Sequence, residues 1–291
     1  MRPRRNRSLA ATAAFFVACA LVPTSPAVAA AAVCPVITAH KAGGLFAPEN
    51  TVAGIRASAD QGATMVEMDV RWSDGENTSA KPGYPVLMHD PTVDRTTPGT
   101  GNVADLSFTV LTGLAANDYA PWKTDPKYTG ANTPKVPYAW DFMDTAHDEN
   151  LTALLDVKVT PGQYMAAKLY EYIDRTDMLA RTIYMGSVAS VQAMRGRYPG
   201  LKYAVIEYPP AGRLFTGEYL KGLGAGAYAV PWDRISPAMV AYYHSYGLDV
   251  YTWTSDTTTV DVPARWSQVT NAGVDVLITN RPADAIGALG C

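Results

Sequence analysis

Two charged pairs, each with a spacing of two residues, are the first sign of chemistry in this chain. Glu67 and Asp69 lie in Met65-Val66-Glu67-Met68-Asp69-Val70, and Asp156 and Lys158 in Leu155-Asp156-Val157-Lys158-Val159. Residues two apart on an extended strand point to the same face. Two carboxylates turned toward a covering helix layer would be buried without partners, which is costly. Turned toward an open mouth, they make half of a site for a hard cation. Asp156 adds a third carboxylate and Lys158 a cation, a set that suits a metal and an anionic substrate together. Among the 4 histidines, His40 and His89 end short apolar runs beside Gly-rich or acidic turns. His147 sits in the polar run Ala146-His147-Asp148-Glu149-Asn150, and His244 shares a helical face with Tyr242, Tyr243 and Tyr246. Structural or solvated roles are the expectation for those two.

The elements that must position these residues follow a rhythm. Short apolar runs recur at Val36 to His40, Met65 to Val70, Leu151 to Val159, Thr182 to Met185, Tyr203 to Ile206, Tyr228 to Pro231, Val250 to Thr254 and Val276 to Thr279. Helix-like segments lie between most of them, such as Asn50 to Gln61, Gly162 to Arg175, Val188 to Arg197 and Pro237 to Tyr246. Asn50, and Ser236 followed by Pro237, are expected caps. Apolar strands alternating with helices predict an α/β fold with a parallel sheet covered by helices. Eight such units point to a closed (β/α)8 TIM barrel, although an open doubly wound sheet would give a similar pattern. Barrel enzymes place their chemistry at the C-terminal ends of the strands, where His40, Asp69 and Lys158 fall. The rhythm breaks after the second strand, over residues 71–136. A hairpin turns at Asp74-Gly75 and returns through Pro85 to His89, and a Gly/Thr/Pro/Asn-rich insertion follows. Insertions of this length usually shape an active site.

Residues 1–30 read as a secretory signal peptide. Arg2, Arg4, Arg5 and Arg7 precede an apolar run from Leu9 to Val22, and Ala27-Val28-Ala29 fits an A-x-A cleavage site. The run is too short for a good membrane span, and no other apolar stretch is long enough. The rival reading, Phe16-Val17-Ala18-Cys19 with a lipidated Cys19, places an aromatic where an aliphatic is usual. Cleavage leaves residues 31–291 as one mature domain with two cysteines, Cys34 and Cys291. An even pair in an exported chain reads as a disulfide. The net charge of -3 excludes a broad nucleic-acid-binding surface. Nothing in the sequence specifies an oligomeric state.

Six segments, taken in order, resemble the glycerophosphodiester phosphodiesterase family of secreted bacterial type. Ala39-His40-Lys41-Ala42-Gly43-Gly44 with Ala47-Pro48-Glu49-Asn50-Thr51 is similar to its opening His-Arg-Gly and Pro-Glu-Asn-Thr. Glu67-Met68-Asp69 resembles its metal-binding Glu-x-Asp strand, and Met88-His89-Asp90-Pro91 with Asp94-Arg95-Thr96-Thr97 its second histidine segment. Asp156-Val157-Lys158 resembles its Glu-x-Lys strand. Val250 to Thr254 and Gly273 to Pro282 resemble its last two strands. The chain departs from the pattern at Lys41, which stands for an Arg and lacks the planar bidentate fork. It departs also at Ala42, which stands for a Gly, and at Asp156, one methylene shorter than a Glu.

The resemblance implies a TIM barrel that hydrolyses glycerophosphodiesters to an alcohol and glycerol 3-phosphate. It implies a divalent cation on Glu67, Asp69 and Asp156, and the all-oxygen ligand set suits Ca²⁺ or Mg²⁺. His40 and His89 would be general base and acid, in an order left open. Lys41 and Lys158 would offset phosphate charge, and Trp253 would wall the pocket. The attacking group, water or the glycerol hydroxyl, is also left open. Two alternatives remain. One is a lipid-directed barrel of lysophospholipase D or sphingomyelinase D type, which would take a lysophospholipid headgroup. The aromatic insertion (Phe108, Tyr119, Trp122, Tyr128) leaves that open, whereas the Pro-Glu-Asn-Thr segment argues against the sphingomyelinase D type. The other is a non-catalytic barrel that only binds.

Overall fold

The computed structural model describes residues 34–208, 213–255 and 258–291. The signal-like segment 1–30 and Cys19 lie outside them. The described residues belong to one compact unit.

Nine strands form one sheet: β1 (Val36–Ala39), β2 (Met65–Trp72), β3 (Pro85–Leu87), β4 (Thr152–Val157), β5 (Thr182–Gly186), β6 (Lys202–Val205), β7 (Ala227–Pro231), β8 (Asp249–Trp253) and β9 (Val276–Thr279). Eight are parallel neighbours, and the β1–β2 pairing closes them into a barrel. The closed barrel excludes the open doubly wound alternative. β3 is the exception, pairing antiparallel with the end of β2 as the returning arm of the hairpin. The described α-helices are α1 (Val52–Asp60), α2 (Phe108–Gly113), α3 (Ala139–Asp148), α4 (Gln163–Arg175), α5 (Val188–Arg195), α6 (Gly217–Gly222), α7 (Pro237–His244), α8 (Pro263–Asn271) and α9 (Pro282–Leu289), with short 3-10 turns between elements. None is long and apolar enough to cross a membrane.

Strand alternation builds two cores. Val66, Met68, Val70 and Trp72 of β2 face outward into the layer shared with the helices, where Trp266 and Phe142 are fully buried. Met65, Leu154, Ile183, Met185, Ala204, Tyr251, Val276 and Ile278 face inward and plug the barrel. The same parity carries Glu67 and Asp69 inward on β2, and Asp156 inward on β4, one level above the plug. Pairing between β2 and β4 sets Asp69 directly opposite Asp156.

Three local expectations change. β1 ends at Ala39, and His40 opens a short 3-10 turn. β3 stops at Leu87, two residues before His89. The cap of α1 is Thr51, whose Oγ1 accepts from Gly54 N at 2.9 Å, and not Asn50. Asn50 has a left-handed φ of 55° and uses its amide elsewhere. Ser236 does cap α7, with Pro237 in its first turn.

The insertion after the hairpin is ordered around its own small core of Val86, Met88, Val93, Val103, Leu111, Ala116 and Val136. At the opposite end of the barrel, Cys34 leads into β1 and Cys291 follows α9. Their sulfurs are joined in a disulfide with Cα atoms 5.7 Å apart.

Candidate active site

The C-terminal ends of β1, β2, β4 and β8 enclose a cavity of ≈ 350 Å³. His40, Lys41, Glu67, His89, Asp156, Lys158 and Trp253 all line it, with Met185, Ile206, Ser255 and Ile278. Seven of the eight residues singled out by sequence therefore meet at one place. The eighth, Asp69, lies just beneath, 1% exposed.

Ligand oxygens of Glu67, Asp69 and Asp156 all lie within 4.8 Å of one another, and all three residues are buried. Lys158 Nζ sits 2.7 Å from Asp69 Oδ1 and also contacts Asp156 Oδ2. One ammonium thus pairs directly with two of the three carboxylates. Glu67 Oε1 is buried without a hydrogen-bond partner. A buried acceptor left unpaired beside excess negative charge fits a divalent cation, and an all-oxygen donor set suits a hard one. The three residues present could therefore hold such an ion.

The electrostatics follow from this crowding. Burial, and then the charge of Asp69, push Glu67 well above the usual carboxylate range. Burial raises Asp156 too, and the Lys158 ammonium does not fully offset it. Burial would also raise Asp69, but Lys158 and the other groups around it hold it well below that range. Lys158 remains a cation because Asp69, Asp156 and Glu67 outweigh its desolvation.

Second partners hold each group. Asn50 Nδ2 donates to Asp69 Oδ2 at 2.7 Å, and Asp69 N donates back to Asn50 Oδ1 at 3.0 Å. Lys41 N donates to Glu67 Oε2 at 2.7 Å. That bond requires a tight loop, in which Lys41 and Ala42 adopt left-handed φ values of 52° and 41°. Ala42 pays a steric cost there that a glycine would avoid.

His40 Nδ1 lies 2.8 Å from Asn280 Oδ1, and its Nε2 is 4.0 Å from Glu67 Oε2. Burial, reinforced by Lys41, lowers its imidazole to about 4. His89 Nδ1 lies 2.6 Å from Asp90 Oδ1. Arg95 Nε donates to Asp90 Oδ2 at 2.5 Å, while its two terminal nitrogens hold Glu49 at 2.9 and 2.6 Å. Desolvation would raise Asp90, but these donors keep it ionised. Arg71 donates twice to His89 O and holds its backbone. The other histidines stay apart: His147 pairs with Asp148 on α3, and His244 with Asp275.

Trp253 faces inward on β8, with the Tyr208 ring 6.5 Å away. The insertion aromatics do not line the cavity. Trp122 and Tyr128 are buried edge to face at 5.5 Å, Phe108 packs between Tyr84 and Tyr138, and Tyr119 OH accepts from Glu49 N. Trp122 and Tyr128 fasten the insertion to the barrel, because they pack with Ala47 and with Ala57 of α1. Their presence therefore gives no support to lipid access.

Sequence patterns do not single out Asn280, Asp90, Arg95 or Asp261 for the site, and they mark Asn50 only as a helix cap. Alternation along β9 from Ile278 would have turned Asn280 inward. Asp261, between β8 and α8, gives no signal in the sequence.

The model of the glycerophosphoryl diester phosphodiesterase family matches residues 40–284. Human glycerophosphodiester phosphodiesterase 1 is 40% identical over 120 residues, 41% of this chain and 33% of that protein. The chain thus spans only a third of that relative. A glycerophosphodiester phosphodiesterase of Caldanaerobacter subterraneus is 25% identical over 260 residues, covering 86% of this chain and 96% of its own. Among solved structures, an Oleispira antarctica phosphodiesterase in complex with the product sn-glycerol-3-phosphate superimposes with a TM-score of 0.72. It is 20% identical, covering 88% of this chain and 97% of that one, a likeness of fold.

Proposed function

Because the chain belongs to the glycerophosphoryl diester phosphodiesterase family, we propose that it hydrolyses glycerophosphodiesters to an alcohol and glycerol 3-phosphate with the help of a divalent cation, Ca²⁺ or Mg²⁺. The observation that carries this reading is the convergence of three buried carboxylates, two lysines and two histidines on one cavity.

Glu67, Asp69 and Asp156 would hold the cation, which when bound supplies Lewis acidity and neutralises phosphate charge. Lys158, engaged by Asp69 and Asp156, draws those carboxylates together and holds Asp69 ionised. Lys41 brings a further positive charge to the cavity rim, where negative charge builds on the phosphoryl oxygens. Asp90 is ionised and can only accept, so His89 Nδ1 carries the proton and Nε2 is free for transfer. His40 is held the same way through Asn280. One Nε2 takes the proton of the attacking hydroxyl, from water or from the neighbouring glycerol hydroxyl. The other, starting as an imidazolium protonated at both nitrogens, gives its Nε2 proton to the departing alkoxide, so the P–O bond breaks without free alkoxide. Trp253, Ile206 and Met185 form an apolar wall for the carbon skeleton.

The signal pattern of residues 1–30 supports export of the mature domain, and the Cys34–Cys291 disulfide fits an oxidising compartment. The test of activity is release of glycerol 3-phosphate from glycerophosphocholine, with and without EDTA, beside lysophosphatidylcholine. Metal-dependent glycerol 3-phosphate release is expected. Turnover of the lysolipid alone would overturn the glycerophosphodiester reading in favour of a lipid phosphodiesterase, and no turnover of either would favour a binding barrel.

A further inference from the structure

Asp261 is 0% exposed, and the proposed mechanism makes no use of it. Among the described residues its carboxylate accepts four hydrogen bonds, all from neutral donors. Oδ1 takes Thr254 Oγ1 at 2.7 Å, Trp266 Nε1 at 2.8 Å and Thr279 Oγ1 at 2.6 Å. Oδ2 takes the backbone N–H of Asn280 at 2.9 Å. Burying a carboxylate is costly, and Trp266 and the threonines alone could be satisfied by a neutral acceptor. What the carboxylate adds is a second oxygen, and that oxygen is aimed at Asn280.

Asn280 stands between this carboxylate and the catalytic cavity. Its Nδ2 donates to Ser255 O at 2.8 Å. A carbonyl can only accept, so the amide orientation is determined, and Oδ1 must be the atom that faces His40 Nδ1 at 2.8 Å. His40 Nδ1 therefore carries the proton and donates. Both supports of the Asn280 amide lead back to Asp261. It holds the Asn280 backbone directly, and it holds Thr254, the residue before Ser255. We propose that Asp261 is a positioning residue for His40: it fixes the Asn280 amide that selects the Nδ1–H tautomer, so that Nε2 faces the substrate. Asp261 touches no reacting atom and acts only through Asn280.

The consequence for turnover rests on the phosphodiesterase reading, whereas the consequence for the histidine ring does not. Long-range ¹H–¹⁵N correlation spectra of the ¹⁵N-labelled mature protein report the tautomer of each of the 4 histidines. His147→Gln and His244→Gln assign the signals. Wild type should show His40 as a single Nδ1–H tautomer. Asn280→Ala should give mixed tautomers and lower kcat by about 100-fold, the scale of a misplaced acid–base group. Asp261→Asn keeps one oxygen for three donors but turns an N–H₂ toward the Asn280 N–H. It should mix the tautomers too, with a kcat loss of at least about tenfold and a KM change below about threefold.

Should Asp261→Asn not fold, Thr279→Val and Trp266→Phe decide. Each removes one donor from the same Oδ1. Only Thr279→Val, next to Asn280, should disturb the His40 tautomer, while both lower the melting temperature. A single Nδ1–H tautomer retained in Asp261→Asn, or equal His40 spectra in Thr279→Val and Trp266→Phe, would overturn the proposal. An inactive wild type with the predicted tautomer shifts would overturn only the phosphodiesterase reading.

Discussion

Glu67→Gln should raise the stability of the metal-free protein while destroying its affinity for the cation. Ligand oxygens of Glu67, Asp69 and Asp156 lie within 4.8 Å of one another. At that separation and an effective dielectric near 20, two like charges repel by about 3.5 kcal/mol. Glu67 faces two such partners, and the one ammonium of Lys158 pairs directly with Asp69 and Asp156 and acts on Glu67 only through its charge. About one uncompensated repulsion remains, so roughly 3.5 kcal/mol is the scale of the gain before relaxation, which brings the expected value to about 1–3 kcal/mol. Glutamine keeps an oxygen for Lys41 N and turns its N–H₂ toward the remaining carboxylates. In a domain of this size each kcal/mol moves the melting temperature by about 2–4 °C.

The pH dependence carries the same sign. A carboxyl raised by burial binds its proton more tightly in the folded state. Its stability contribution is full below the unfolded value of 4.5 and is lost as pH rises through the higher folded value. The metal-free wild type should therefore lose stability relative to Glu67→Gln as pH climbs above 4.5, most clearly by neutral pH. With cation present the order reverses, since the variant has lost one of three charged ligands. Affinity should fall at least about 100-fold, near 2.7 kcal/mol. Calorimetric melting in EDTA at several pH values, beside isothermal titration with Ca²⁺ and Mg²⁺, reads both effects. A variant that melts below wild type in EDTA at pH 7, or that binds the cation as tightly, would refute the reasoning.

His40→Ala and His89→Ala should each lower turnover of glycerophosphocholine at least about a hundredfold. His147→Ala and His244→Ala should cost far less in the same steady-state assay, because their ion pairs lie away from the cavity; equal damage from His147→Ala would reassign the acid–base pair. Opening the Cys34–Cys291 bridge should lower thermal stability without changing turnover at 25 °C. Its closed loop, with a sequence separation of 257, sets a chain-entropy ceiling of roughly 5.5 kcal/mol. Packing of α9 on β1 remains and reduces the loss. Paired melting curves and initial rates with and without reductant check it, and slower turnover of the folded, reduced protein would show that the bridge bears on the cavity as well as on stability.

Eight strand runs, the insertion and the faces of Glu67, Asp69, Asp156 and Lys158 were legible in the sequence because strand alternation is local. A period of two needs only the neighbouring residues, and two carboxylates are too costly to bury against a helix layer. The hairpin was legible for the same reason, from Asp74-Gly75 between apolar runs. Caps were less secure. Asn50 and Thr51 both suit a helix start, and the choice fell to Thr51 because Asp69 claims the Asn50 amide from 19 residues away.

Only closure of the barrel decided the rest. The register that sets Asp69 opposite Asp156 is a property of two strands, and neither contains it alone. His40 meets Asn280 across 240 residues of chain, since the first and last strands are neighbours only in the closed sheet. Asp261 gathers donors from the residue after β8, from α8 and from β9, whose meeting point no local pattern marks. Residue types and spacing determined which groups could do chemistry. Which nitrogen of each cavity histidine carries the proton depended on hydrogen bonds that exist only after the chain has folded.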